Sequence, residues 1–264
     1  MTVTDENGDI EVEEALAQAQ TFADDVYNTI KGSLKSNIEP FDVVAGARGS
    51  KIFVTINSNP AEGIELHPVD ADEGAVPAFT LTVSYSCHVG DTGYLTVDKS
   101  SFIVGAYGID QPLFHLDYIR EAQSNIPGAH YNIHAHRDEF VYAMLQGGAN
   151  PRQRRRLKAF DKRGRYPRIS DLHFPVGGAR FRPCLEDLIQ MVVEEFGIAT
   201  EPGWQTVLEQ GRRQWRESQL LALVWKNPEL CARKLREKGY TVIPPQDEAG
   251  SPKTFEPDDR FTLY

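Results

Sequence analysis

Five of the seven histidines, His115, His130, His134, His136 and His173, fall between positions 115 and 173. An imidazole titrates at about 6.5, so it can take or give a proton near neutral pH, and its unprotonated nitrogen is a common metal ligand. Alternation along an extended chain puts residues two apart on one face. On that rule His115 and Asp117 share a face of one strand, and His130, Asn132, His134 and His136 share a face of the next. Pairing of the two strands with those faces aligned gathers imidazoles and one carboxylate into a patch, and a third strand brings His173 beside them. Three outcomes fit such a patch. The histidines act as metal-free acid and base on a phosphodiester, with His134 or His136 as base and His115 or His173 as acid. Alternatively, an HxH pair with a third ligand holds a divalent transition metal. In the third outcome, they line a solvated sheet face and only hydrogen-bond to their neighbours.

Positions 151 to 168, PRQRRRLKAFDKRGRYPR, hold nine basic residues against the single acid Asp161, with Phe160 and Tyr166 interleaved. Arg154, Arg155 and Arg156 form its densest cluster. A basic loop carrying aromatic rings suits contact with the phosphates and bases of single-stranded RNA. The same loop also suits an acidic protein partner, or pairing with the acidic half of its own chain. The stretch DLHFPVGGARFRP, 171 to 183, places Gly177-Gly178 in a tight turn, with Arg180 and Arg182 alternating around Phe181 as a candidate phosphate clamp beside His173. Cys87 and His88 are chain neighbours on opposite strand faces, which disfavours a thiolate–imidazole pair. No GxSxG, P-loop or GxGxxG pattern is present.

The elements that must position these groups follow from periodicity. Ala15, Ala19, Phe22, Ala23, Val26, Ile30 and Leu34 recur at helical steps and predict an amphipathic helix from about Val12 to Ser36. Residues 1–11 read as an acidic tail. Short runs rich in β-branched and aromatic residues, 42–47, 51–57, 79–88, 94–98 and 101–107, predict an antiparallel meander. The span 60–77 reads as an exposed acidic loop. The runs 113–119 and 130–136 predict a hairpin, and 171–176 a further strand. From Cys184 the period changes, predicting helices over 185–196, closed by Gly197, over 204–226, and from Pro228 to Lys238. The expectation is an α+β fold: an N-terminal helix, an antiparallel sheet of about six to eight strands, then three C-terminal helices. It occupies one domain, 12–243, with a sub-boundary near 184 and a Pro-rich acidic tail over 244–264.

The chain has 264 residues, and three dispersed cysteines without a CxxC predict neither a disulfide framework nor a cysteine-built zinc site. No apolar run spans a bilayer, and the N-terminal stretch lacks the order of a signal peptide, so a cytoplasmic location without membrane contact is expected. The formal net charge of -10 speaks against nucleic acid when taken whole. Its distribution is uneven, however: residues 1–119 carry 19 acidic and 5 basic side chains, whereas residues 120–240 carry 14 and 21. The histidines therefore lie largely in a basic segment, where RNA or another polyanion is the expected partner.

Two resemblances bear on function. The string PGAHYNIHAHRDEFVYAMLQG, 127 to 147, resembles the first motif of cupins, a glycine before an HxH pair followed by a glutamate and a later glycine. That resemblance implies a metal-dependent enzyme with His134, His136 and Glu139 as ligands. The stretch from His130 through His173 to Leu185-Glu186-Asp187 resembles bacterial toxin-like proteins of the TumE kind. There, histidine-bearing strands lead into a helix opening on a Leu-Glu-Asp type sequence. That resemblance implies a cytosolic toxin-antitoxin or defence component acting on RNA, as a nuclease.

Overall fold

The computed structural model describes residues 6–48, 51–72, 74–89, 93–122, 126–134, 151–171, 174–177 and 181–246. Helix α1 (Glu6–Ser33) opens the chain and begins inside the stretch expected to be a tail. Strands β1 (Glu39–Arg48), β2 (Lys51–Asn59), β3 (Ile64–Leu66), β4 (Phe79–Val89), β5 (Leu95–Ala106), β6 (Pro112–Ile119) and β7 (Ala129–Ile133) follow. After them come α2 (Pro151–Arg163), a single 3-10 turn at Ile169–Asp171, β8 (Phe174–Gly177), α3 (Leu185–Phe196), α4 (Trp204–Lys226) and α5 (Pro228–Glu237). The fold is α+β, with five α-helices among the described residues. All pairings in the sheet are antiparallel, in the order β1-β2-β4-β5-β6-β7-β8, with β3 added to β4 off that path. No described helix is long and apolar enough to cross a membrane.

Alternation divides the sheet into two unlike faces. On one, Val54, Ile56, Leu81, Val83, Phe102, Val104 and Leu116 are buried. Against this face lies the apolar stripe of α1. Its Ala15, Ala19 and Ala23 lack bulk and let the helix approach closely, while Ile30 and Leu34 fill the far end. Helix α3 adds Leu185, Leu188, Ile189 and Val192 to the same core, and each such side chain contributes about 1.5–3 kcal/mol by leaving water. Gly197 ends α3 with φ of 61°, its N–H donating to the Val193 carbonyl, a conformation that glycine adopts without a Cβ penalty. The other face of β4, β5, β6 and β7 is polar.

Three further expectations about the elements are corrected. The basic segment is not a loop over its whole length. Positions 151–163 form α2, because Arg, Gln, Leu, Lys and Ala favour helix, no glycine or proline interrupts residues 152–163, and Pro151 sits at the first helical position. The loop expected over 60–77 contains β3, whose Ile64 and Leu66 are fully buried. Three residues are too few for a periodic signal; the ladder to Thr80 and its neighbours on β4 makes the strand. The runs expected at 94–98 and 101–107 are a single strand, β5, with an irregularity opposite Ser86/Cys87.

Candidate active site

The polar face is organised by register. His115 on β6 lies opposite Ile103 on β5 and Asn132 on β7. One step along, Asp117 lies opposite Ser101 and His130, and Ser101 in turn opposite Ser84 on β4. A further step brings Ile119 opposite Lys99, and Lys99 opposite Ser86. His134 follows β7, and its N–H donates to the Leu113 carbonyl at 2.7 Å. That bond holds it diagonally across from His115, a separation that long side chains can bridge.

Asp117 is the hub. Its Oδ1 accepts the Ser101 hydroxyl proton at 2.6 Å, and its Oδ2 accepts from His115 Nδ1 at 2.8 Å and from Asn132 Nδ2 at 3.2 Å. His130 Nε2 stands 3.9 Å from the same Oδ2, while its Nδ1 is 2.9 Å from the Pro127 carbonyl, to which it donates. Burial raises the pKa of Asp117, but hydrogen bonds from His115 and Ser101 and the charges of His115 and His130 outweigh it. They hold the carboxyl below the usual range, so it stays ionised. Asn132, 5% exposed, has a buried Oδ1 with no hydrogen-bond partner among the described residues.

Beyond Asp117 the chain of contacts continues. His115 Nε2 lies 3.0 Å from His134 Nε2, and Gln111 Nε2 lies 3.4 Å from His134 Nδ1. With both imidazoles neutral the protons are set by their partners: Gln111 donates to His134 Nδ1, His134 Nε2–H to His115 Nε2, and His115 Nδ1–H to Asp117. Burial, then the charges of His115 and Arg168, lower the pKa of His134 below 6.5, with Asp117 and Asp171 acting in the opposite direction. The carboxylate thus backs one imidazole, while the environment of the other favours its neutral form. Such a pair can divide acid and base roles.

Residues singled out from the sequence fall into four groups. His115, Asp117, His130 and His134 come together. His136, Glu139, His173 and Arg180 lie outside the described residues. Arg154, Arg155 and Arg156 lie on α2, where Arg154 and Arg155 are exposed and an Arg156 guanidinium nitrogen donates to the Asp171 carbonyl at 2.7 Å. Arg182 does not join the histidines. Its guanidinium lies 4.0 Å from the Trp215 ring centroid, 5.6 Å from that of Tyr85 and 5.8 Å from that of Phe22, on the helix-covered face of the sheet. Residues 181–184 lead into α3 on that side, so strand alternation around Phe181 does not decide where Arg182 goes.

Cys87 and His88 do diverge. Cys87 is buried, its thiol pushed up to about 12 chiefly by that burial, while His88 Nδ1 is 2.7 Å from Asp98. Ser101, Gln111 and Arg168 were missed as site residues. Ser101 becomes visible only once the register of β5 and β6 is known. Among the described residues no group of three His, Cys, Asp or Glu side chains is placed to share a metal ion. No family model, curated protein or solved structure matches this chain. Its chemistry is therefore read from the side chains themselves.

Proposed function

We propose that the protein is a metal-independent ribonuclease of the acid/base kind, with His134 as base and His115 as acid. The observation that carries this reading is the 3.0 Å contact between the two Nε2 atoms with Asp117 behind His115. When the pair holds one extra proton, Asp117 favours keeping it on His115, whose two N–H groups then face Asp117 and His134. His134 stays neutral, its Nε2 lone pair turned toward the shared space and its remaining proton on Nδ1, where the Gln111 amide turns over so that its Oε1 accepts. An RNA strand entering that space separates the rings. His134 Nε2 takes the proton of a ribose 2′-hydroxyl, and the 2′-oxygen forms a bond to the adjacent phosphorus. The bond from phosphorus to the 5′-oxygen breaks, and that oxygen receives the proton from His115 Nε2. The products are a 2′,3′-cyclic phosphate and a 5′-hydroxyl, and the protons balance within the pair.

Arg168, close enough to His134 to depress its pKa, supplies positive charge for the phosphorane, and the exposed arginines of α2 attract the polyanion. The toxin-like resemblance supports RNA as the substrate class. Incubation of the purified protein with mixed-sequence single-stranded RNA in excess EDTA tests this reading. Cyclic-phosphate ends are expected, together with no cleavage of the 2′-deoxy strand and loss of cleavage in His134→Gln. Cleavage that requires a divalent metal, or that survives both His115→Asn and His134→Gln, would overturn it.

A further inference from the structure

Beside the histidine pair, on the same sheet face, a cavity of about 280 Å³ is lined by residues that include Ser84, Ser86, Lys99, Ser100, Ser101 and Asp117. We infer that this cavity is a second phosphate subsite, which holds a backbone phosphate of the bound RNA strand next to the one at the histidines. The inference rests on the ribonuclease reading for the identity of its ligand. It rests on independent observations for the existence of the site.

The first of these is Lys99. It is one of only five basic residues among the first 119, which carry 19 acids. In such a segment a lysine would ordinarily find a carboxylate, yet no ion pair to Lys99 is formed among the described residues. Its cross-strand neighbours are the neutral Ser86 and Ile119. The acid next to it in the chain, Asp98, is engaged by His88 at 2.7 Å. The second observation is the register: Ser86 lies opposite Lys99 and Ser84 opposite Ser101, so by alternation both serines line the cavity from the same polar face as the Lys99 side chain. A phosphate held by the Lys99 ammonium would lie within this row of hydroxyls. The hydroxyls of Ser84 and Ser86 stand on the adjacent strand and can donate to the same group.

Spacing supports a strand running along the sheet. Two residues of β-strand advance about 7 Å, so the Asp117 level lies one such step from His115 and the Lys99 level two. A ribose would lie against Asp117, whose ionised oxygens face hydroxyl and N–H donors, and the next phosphate would lie against Lys99. The carboxylate itself repels a phosphate at the middle level. Charge therefore selects the Lys99 end for the anion.

The test uses a short 2′-O-methyl oligoribonucleotide, which cannot be cleaved by 2′-oxygen attack, with binding followed by fluorescence anisotropy between about 50 and 200 mM salt. Lys99→Ala is expected to weaken binding severalfold and to reduce the slope of log affinity against log salt by about 1. Lys99→Arg should retain the slope, and Ser86→Ala should weaken binding without altering it. Unchanged affinity and slope in Lys99→Ala overturn the subsite, and if RNA is still cleaved in EDTA the ribonuclease reading stands without it. Lys99-dependent binding by a wild-type protein that cleaves no RNA upholds the subsite while the catalytic reading fails. Inorganic phosphate is the second probe: competition for the oligonucleotide in wild type but not in Lys99→Ala also upholds the subsite.

Discussion

His115 Nε2 and His134 Nε2 lie 3.0 Å apart, so one of the two nitrogens must carry a proton and the other must not. Asp117 occupies the far side of His115 at 2.8 Å, and Gln111 occupies the far side of His134. The two rings are therefore chemically distinct although they belong to the same residue type. One is backed by a permanent anion, the other by a neutral amide and nearby positive charge.

Replacing Asp117 with asparagine keeps its size and removes its charge. The new side chain can no longer accept from Ser101, His115 and Asn132 together, so His115 loses the partner that fixes its tautomer. A destabilisation of about 1–3 kcal/mol is expected from the unpaired donors, together with a loss of RNA cleavage on the order of 10²-fold or more. Thermal unfolding and single-turnover cleavage measure the two effects. A variant with full cleavage would show that Asp117 is structural only.

The lowered pKa of His134 has a definite sign in stability. The folded chain favours neutral His134, so its contribution is fully present above the unfolded value of 6.5 and is lost as pH falls through the lower folded value. The melting temperature of the wild type should accordingly fall more steeply below about pH 6.5 than that of His134→Gln. An NMR titration of the His134 ring should give a midpoint below that of a free imidazole. A midpoint above it would contradict the burial and charge described for this ring.

Arg182 should matter to the fold rather than to RNA. Its guanidinium stacks on Trp215 and sits near Tyr85 and Phe22, so Arg182→Ala is expected to cost about 1–2 kcal/mol in unfolding free energy. The salt dependence of oligonucleotide binding should not change. A reduced salt slope in a stably folded Arg182→Ala protein would restore this residue to the phosphate-binding set.

The thiols offer an independent check on the core. Cys87 and Cys184 are buried, and Cys184 Sγ donates to Glu186 Oε2 at 2.7 Å. Burial above all pushes both thiols upward. Cys231 on α5 is half-buried. A thiol-specific disulfide reagent should modify one cysteine rapidly in the native protein and all three after denaturation. Two or more rapid thiols in the native state would mean that the interface of β4 with α3 opens easily.

Much of this arrangement is legible in the sequence because it depends on local periodicity. The apolar steps of α1, the alternation that puts His115 with Asp117 and His130 with Asn132, and the Gly197 stop of α3 each involve residues within a few positions of one another. Periodicity cannot say which strand lies beside which, or in what register. Tertiary structure alone set Ser101 opposite Asp117 and Lys99 opposite Ser86, and paired β3 with β4. It also carried Arg182 to the helical face, because the aromatic surface of Phe22, Tyr85 and Trp215 is assembled from three separate elements. Sequence by itself determined which residues could share a face. Packing decided which faces met, since a one-residue change of register would turn every one of these side chains to the other side of the sheet.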